Sequence, residues 1–107
     1  MSSLSTHVLD AATGTPAVGM SVVVTDADGA ELGAARTDSD GRIGSLATDL
    51  DAATYRIRFD TGAWFAASGT DGFYPEIVIC FEITDRSAHH HVPVLLSPFA
   101  YSTYRGS

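Results

Sequence analysis

Apolar and polar residues alternate at period two along most of the chain, and Gly and Asp pairs interrupt the alternation at intervals of roughly eight to twelve residues. Period two is the repeat of a pleated strand with one buried face, so the pattern predicts an all-β sandwich or barrel of about eight strands. Leu4 to Asp10 is the first, followed by a turn containing Gly14 and Pro16. Ser21 to Asp26 is the second, closed by the hairpin pair Asp28-Gly29. Ala30 to Thr37 leads to the polar turn Asp38-Ser39-Asp40-Gly41, and a short strand around Ile43 to Ala47 comes next. In Tyr55 to Asp60, Tyr55, Ile57 and Phe59 share one face while Arg56, Arg58 and Asp60 share the other. The run Ala63 to Ala67, within Gly62 to Gly69, breaks the period and predicts the one short helix, with Gly69 ending it. Glu76 to Thr84 aligns Ile77, Ile79, Phe81 and Ile83, and Pro75 stands at its start, where a missing donor does little harm. Cys80 falls on the opposite face and reads as an inert packing residue. His89 to Leu96 and Phe99 to Arg105 are the last strands, joined at Ser97-Pro98.

A chain of 107 residues fits a single domain spanning 1–107. Its composition, 45% hydrophobic and 18% charged, is apolar enough to fold and too apolar to remain disordered. The net charge of −7 would meet repulsion from a phosphate backbone, with no basic stripe to offset it, so nucleic acid is excluded as a partner. Every positive side chain is an arginine, which favours planar, hydrogen-bonded recognition over diffuse attraction. Cys80 alone can form neither an internal disulfide nor a zinc-finger pattern, and it suits a reducing compartment. No apolar run approaches the ~20 residues of a membrane span, and no basic-then-apolar secretory layout opens the chain. Cytoplasm is the expected location; the ending Arg105-Gly106-Ser107 is not a peroxisomal address.

The run His89-His90-His91 suggests a metal site, since imidazole is a common zinc ligand. Strand geometry weakens it: His90 points away from its neighbours, and two ligands need a third from elsewhere. The plainer reading is three solvated strand histidines. If Val92, Val94 and Leu96 face the core, His91 shares the outer face with Pro93 and Leu95. His7 alternates outward in the same way between Thr6 and Val8, and Arg42 follows a turn. By spacing alone, His7, Arg42 and His91 are structural or surface residues. No Gly-x-Ser-x-Gly elbow supplies a nucleophile.

A resemblance along the whole chain changes that weighing. Ser5-Thr6-His7-Val8-Leu9-Asp10 with Gly14 and Pro16-Ala17, Thr37 to Arg42, Phe59 to Phe65 and Phe73-Tyr74-Pro75-Glu76 match one family. The most diagnostic match runs from His89 to Pro98 and on through Phe99 to Ser107. The chain resembles the 5-hydroxyisourate hydrolases, relatives of transthyretin, and the ending Tyr-Arg-Gly-Ser separates these hydrolases from the hormone carriers. The resemblance implies a transthyretin-like two-sheet sandwich. It also implies hydrolysis of 5-hydroxyisourate to 2-oxo-4-hydroxy-4-carboxy-5-ureidoimidazoline in urate degradation, without cofactor or metal. His7, Arg42 and His91 match the family's catalytic groups, and Tyr104, Arg105, Gly106 and Ser107 complete the site as substrate-binding residues. A homotetramer of two dimers is implied as well, with active sites in the channel between dimers. The chain departs from the pattern at His90 and Trp64, where Tyr is usual, at Asp38, where Asn is usual, and in a shorter loop from Ser45 to Thr54. The alternatives are a non-catalytic carrier of a small aromatic ligand, which would replace the histidines and the polar tail by apolar linings, and a β-sandwich interaction module.

Overall fold

The computed structural model describes residues 2–106. Nine strands and one helix follow in the order β1 (Ser3–Asp10), β2 (Thr15–Pro16), β3 (Ser21–Asp26), β4 (Glu31–Arg36), β5 (Arg42–Thr48), β6 (Ala53–Phe59), α1 (Thr61–Ala67), β7 (Ile77–Ile83), β8 (His89–Ser97) and β9 (Ala100–Thr103). One sheet has the order β2-β1-β8-β9, with β5 also on β1; the other runs β4-β3-β6-β7. The expected sandwich is therefore present, and the Gly14-Pro16 turn adds a two-residue strand that pairs back onto β1 through Leu9↔Pro16.

Alternation places the core as the sequence predicts. Leu4 and Val8 from β1, Val22 and Val24 from β3, and Ile57 and Phe59 from β6 are fully buried between the sheets. Each such side chain stabilises the fold by about 1.5–3 kcal/mol relative to exposure. Arg56 and Arg58 lie outside, as the pleat requires. The helix starts two residues earlier than its alanine run: the Asp60 carboxylate accepts from the Ala63 backbone N–H, satisfying an amide with no partner inside the helix.

Two readings from the pattern are corrected. Cys80 is exposed, because the outer face of β7 has no third layer over it. His90 is only 7% exposed, because it shares the inward face of β8 with Val92, Val94 and Leu96; only His89 of the three is fully solvated. No described helix is long and apolar enough to cross a membrane.

The pairing with most bearing on chemistry is β1 on β8, a parallel contact running from Ser3↔His89 through Ser5↔His91 to Asp10↔Leu96. On the far side β1 receives β5 antiparallel, with His7↔Arg42 directly opposed. The first strand is thus flanked by the strand carrying the histidine run and the strand opening with Arg42.

Candidate active site

Side chains facing away from the core on β1 are Ser3, Ser5 and His7, and on β8 they are His89, His91 and Pro93. Parallel pairing sets these two rows side by side, so Ser5 lies beside His91, and His7 lies one pleat further along. Arg42 joins from the opposite flank. Its position is fixed by the turn before it: the Asp38 carboxylate accepts from the backbone N–H groups of Asp40 and Arg42, both at 2.9 Å. Gly41, at φ +73°, closes that turn, and its carbonyl accepts from the Val8 N–H at 2.8 Å. A side chain at Gly41 would strain the backbone and strike the Val8 carbonyl at 2.5 Å, so glycine is what allows the turn to seat Arg42 opposite His7. These two backbone bonds hold the Asp38 carboxyl below its usual range, with Arg42 and His7 adding to the effect.

His7, Arg42 and His91 are therefore brought together on one outward face. A depression of about 260 Å³ is lined there by Ser5, Arg42, Gly44, His89 and His91, room for a small heterocycle rather than a drug-sized ligand. His91 is half-buried, and burial pushes its imidazole below the ordinary value of 6.5; the positive charges of Arg42, His7 and His89 push it the same way. Its Nδ1 is hydrogen-bonded to Ser5 Oγ at 2.7 Å, and its Nε2 has no such partner among the described residues. The result is a neutral imidazole with one nitrogen engaged and the other free to take a proton.

The C-terminal segment reaches the same histidine from its other side. The Gly106 N–H donates to the His91 carbonyl at 2.9 Å, and Gly106 lies so close that a Cβ there would collide with the imidazole. Glycine is the only residue that passes this point without moving the ring. Tyr104 and Arg105 do not enter the Arg42 depression. They line a second cleft of about 280 Å³ with Phe81 and His90 at the open edge of the sandwich, and His91 borders both clefts. Ser107 lies outside the described residues.

Spacing alone raises His89 only as part of the histidine run and does not raise Ser5. The signal was present as three short polar residues at period two, Ser3, Ser5 and His7, matched by His89 and His91 at the same period. Only the β1–β8 pairing turns the two rows into one cluster.

Comparison with known proteins identifies the family. Residues 4–106 match the HIUase/Transthyretin family. The 5-hydroxyisourate hydrolase of Salmonella typhimurium is 46% identical over 109 residues, covering 97% of this chain and 80% of that protein. Among solved structures, Klebsiella pneumoniae 5-hydroxyisourate hydrolase superposes with a TM-score of 0.91 at 42% identity, covering 98% of this chain and 99% of that one. Sea bream transthyretin in complex with thyroxine gives 0.89 at 33% identity, covering 96% and 93%.

Proposed function

The chain belongs to the HIUase/transthyretin family, and from that premise we propose that it is a 5-hydroxyisourate hydrolase whose catalytic groups are His7, Arg42 and His91. It cleaves the carbonyl–nitrogen bond of the six-membered ring and leaves an open carboxylate. The observation that supports this reading most is a half-buried His91 with a free Nε2 beside Arg42, its imidazole pushed below the ordinary value by burial first and by Arg42 next. Hydrolysis of an electron-poor cyclic amide needs a base that is unprotonated near neutrality and a fixed donor where negative oxygen develops. His91 Nε2 takes a proton from the attacking water, His7 helps hold that water, and Arg42 stabilises the oxyanion. Burial contributes more than Arg42 to keeping the imidazole neutral.

Substrate recognition falls to the tail. From the second cleft, which meets the Arg42 depression at His91, Arg105 offers planar donors to the carbonyl edges of a ureide, Tyr104 and Gly106 shape the border, and Ser107 completes the substrate-binding set. The assembly is a homotetramer, a dimer of dimers, acting in the cytoplasm as a single domain without cofactor. The exposed large apolar side chains Val18, Leu32, Phe73, Val78, Leu95, Phe99, Tyr101 and Tyr104 offer surface for such an assembly to cover.

The test follows the ultraviolet absorbance of freshly generated 5-hydroxyisourate. Native protein accelerates its decay, and His91→Ala lowers turnover by about 100-fold or more while remaining folded. An unchanged decay rate with native protein, accompanied by thyroxine binding, would make the chain a carrier, which its likeness to sea bream transthyretin keeps in view.

A further inference from the structure

Three hydrogen bonds on the outward face link four side chains in a row. Ser3 Oγ meets His89 Nδ1 at 2.5 Å, Ser5 Oγ meets His89 Nε2 at 2.8 Å, and the same Ser5 Oγ meets His91 Nδ1 at 2.7 Å. Ser5 is 8% exposed, whereas His89 is exposed and also lines the depression, so the row runs from the half-buried His91 to a solvated ring. Each member can both donate and accept, and imidazole carries a proton on either nitrogen.

We propose that Ser5, His89 and Ser3 form a proton wire that drains His91 through its Nδ1 and releases the proton to solvent at His89. The inference rests on the reading of His91 as the base. The stoichiometry of ring opening calls for such an outlet. Water brings two hydrogens, the departing ring nitrogen keeps one, and the other must leave as the new carboxylic acid ionises.

In the resting state His91 Nδ1–H donates to Ser5, Ser5 O–H donates to His89 Nε2, and His89 Nδ1–H donates to Ser3. His91 Nε2 takes the first proton from water and gives it to the leaving nitrogen; when Nε2 then takes the second, from the new carboxylic acid, Nδ1–H passes to Ser5 Oγ and the former Ser5 proton passes to His89 Nε2. His91 ends neutral with its proton on Nε2, and exchange with solvent after the product leaves returns it to the Nδ1–H form. The positive charge ends on His89, which discharges its Nδ1–H to Ser3 or water. Charge is thereby moved from a half-buried ring beside Arg42 to an exposed one, the direction burial and like-charge repulsion both favour. The ionisable groups next to the row are His7 on β1 and Arg42 on β5, with Arg105 after β9 and Glu82 of β7 in the second cleft that His91 also borders, and none of them hydrogen-bonds into the row among the described residues. Ser5 and His89 are positioning residues that act through His91.

The test uses His89→Gln, which can still hydrogen-bond to both serines but cannot carry the charge, and Ser5→Ala, which cuts the row at its centre. Steady-state rates are measured in weakly buffered solution and again with added imidazole buffer. Both variants should show kcat lowered by about tenfold, short of the ~100-fold loss of the base itself, with KM unchanged and the rate restored by imidazole. Full kcat for His89→Gln in weak buffer, with His91→Ala inactive, overturns the wire and leaves the base in place. A loss that imidazole does not restore, or one accompanied by a raised KM, makes the row structural and also overturns the wire. An active His91→Ala removes the base reading and the wire with it.

Discussion

Replacing Gly106 by alanine should separate catalysis from stability. The added methyl would collide with the Cδ2 edge of His91 and stand 3.1 Å from its Cβ and Cγ, and it cannot be absorbed by a flexible neighbour. Either the tail lifts or the imidazole rotates. If the tail lifts, the Gly106 N–H to His91 carbonyl bond is lost, a cost of about 1 kcal/mol. If the ring rotates off its rotamer, the cost is about 0.5–1.5 kcal/mol. Stability therefore falls by about 1 kcal/mol, a drop of roughly 4–8 °C in Tm for a domain of this size. Activity should suffer far more, because a misplacement of about 1 Å at a reacting group can cost about 100-fold. Thermal unfolding by circular dichroism and the ultraviolet decay of 5-hydroxyisourate measure the two effects on one sample. A variant with native kcat would refute the claim that glycine is needed there to keep the imidazole in place. An unfolded variant would show that the tail holds the sandwich together, contrary to its place at the edge of the sheet.

The pH dependence of kcat/KM follows from His91: its acid limb should fall below the ordinary 6.5, and Arg42→Gln, by removing a like charge, should move the limb to higher pH as well as lowering the plateau. An acid limb left in place by that substitution would disconnect the two residues. Asp38→Asn tests the turn that seats Arg42. Because the folded state holds the Asp38 carboxyl below its usual value of 3.8, its contribution is present at neutral pH and is lost as pH falls through the lowered value. The variant's urea stability should therefore vary less with pH than the native protein's in that acid range, and identical curves would contradict the turn's role. Removing Tyr104 through Ser107 should abolish turnover while the circular dichroism spectrum stays native, and retained turnover would reduce the tail to a cover.

Much of the fold could be read from local chemistry. Ser21 to Asp26 is a strand with the expected ends, and the faces of Tyr55 to Phe59 divide as the alternation requires, because a period-two pattern reflects one buried face. The same rule misjudged Cys80 and His90, since alternation tells which residues share a face but not what covers it. For the site, His7, Arg42 and His91 came from resemblance rather than spacing. Ser5 and His89 lie in segments that match the family, but neither spacing nor resemblance gives them this role, because it depends on a parallel pairing between the first and eighth strands that no local pattern encodes.

That pairing also dates the site within folding. Ser5 and His91 are separated by 86 positions, so closing their contact requires a very large loop, and contacts of such range form slowly. The sheet of β4, β3, β6 and β7 uses no residue beyond Ile83 and can assemble on a growing polypeptide before β8 has been made. Reactivity thus arrives last, and a chain cut short of its eighth strand would lack His89 and His91 together with Val92, Val94 and Leu96 of the interior.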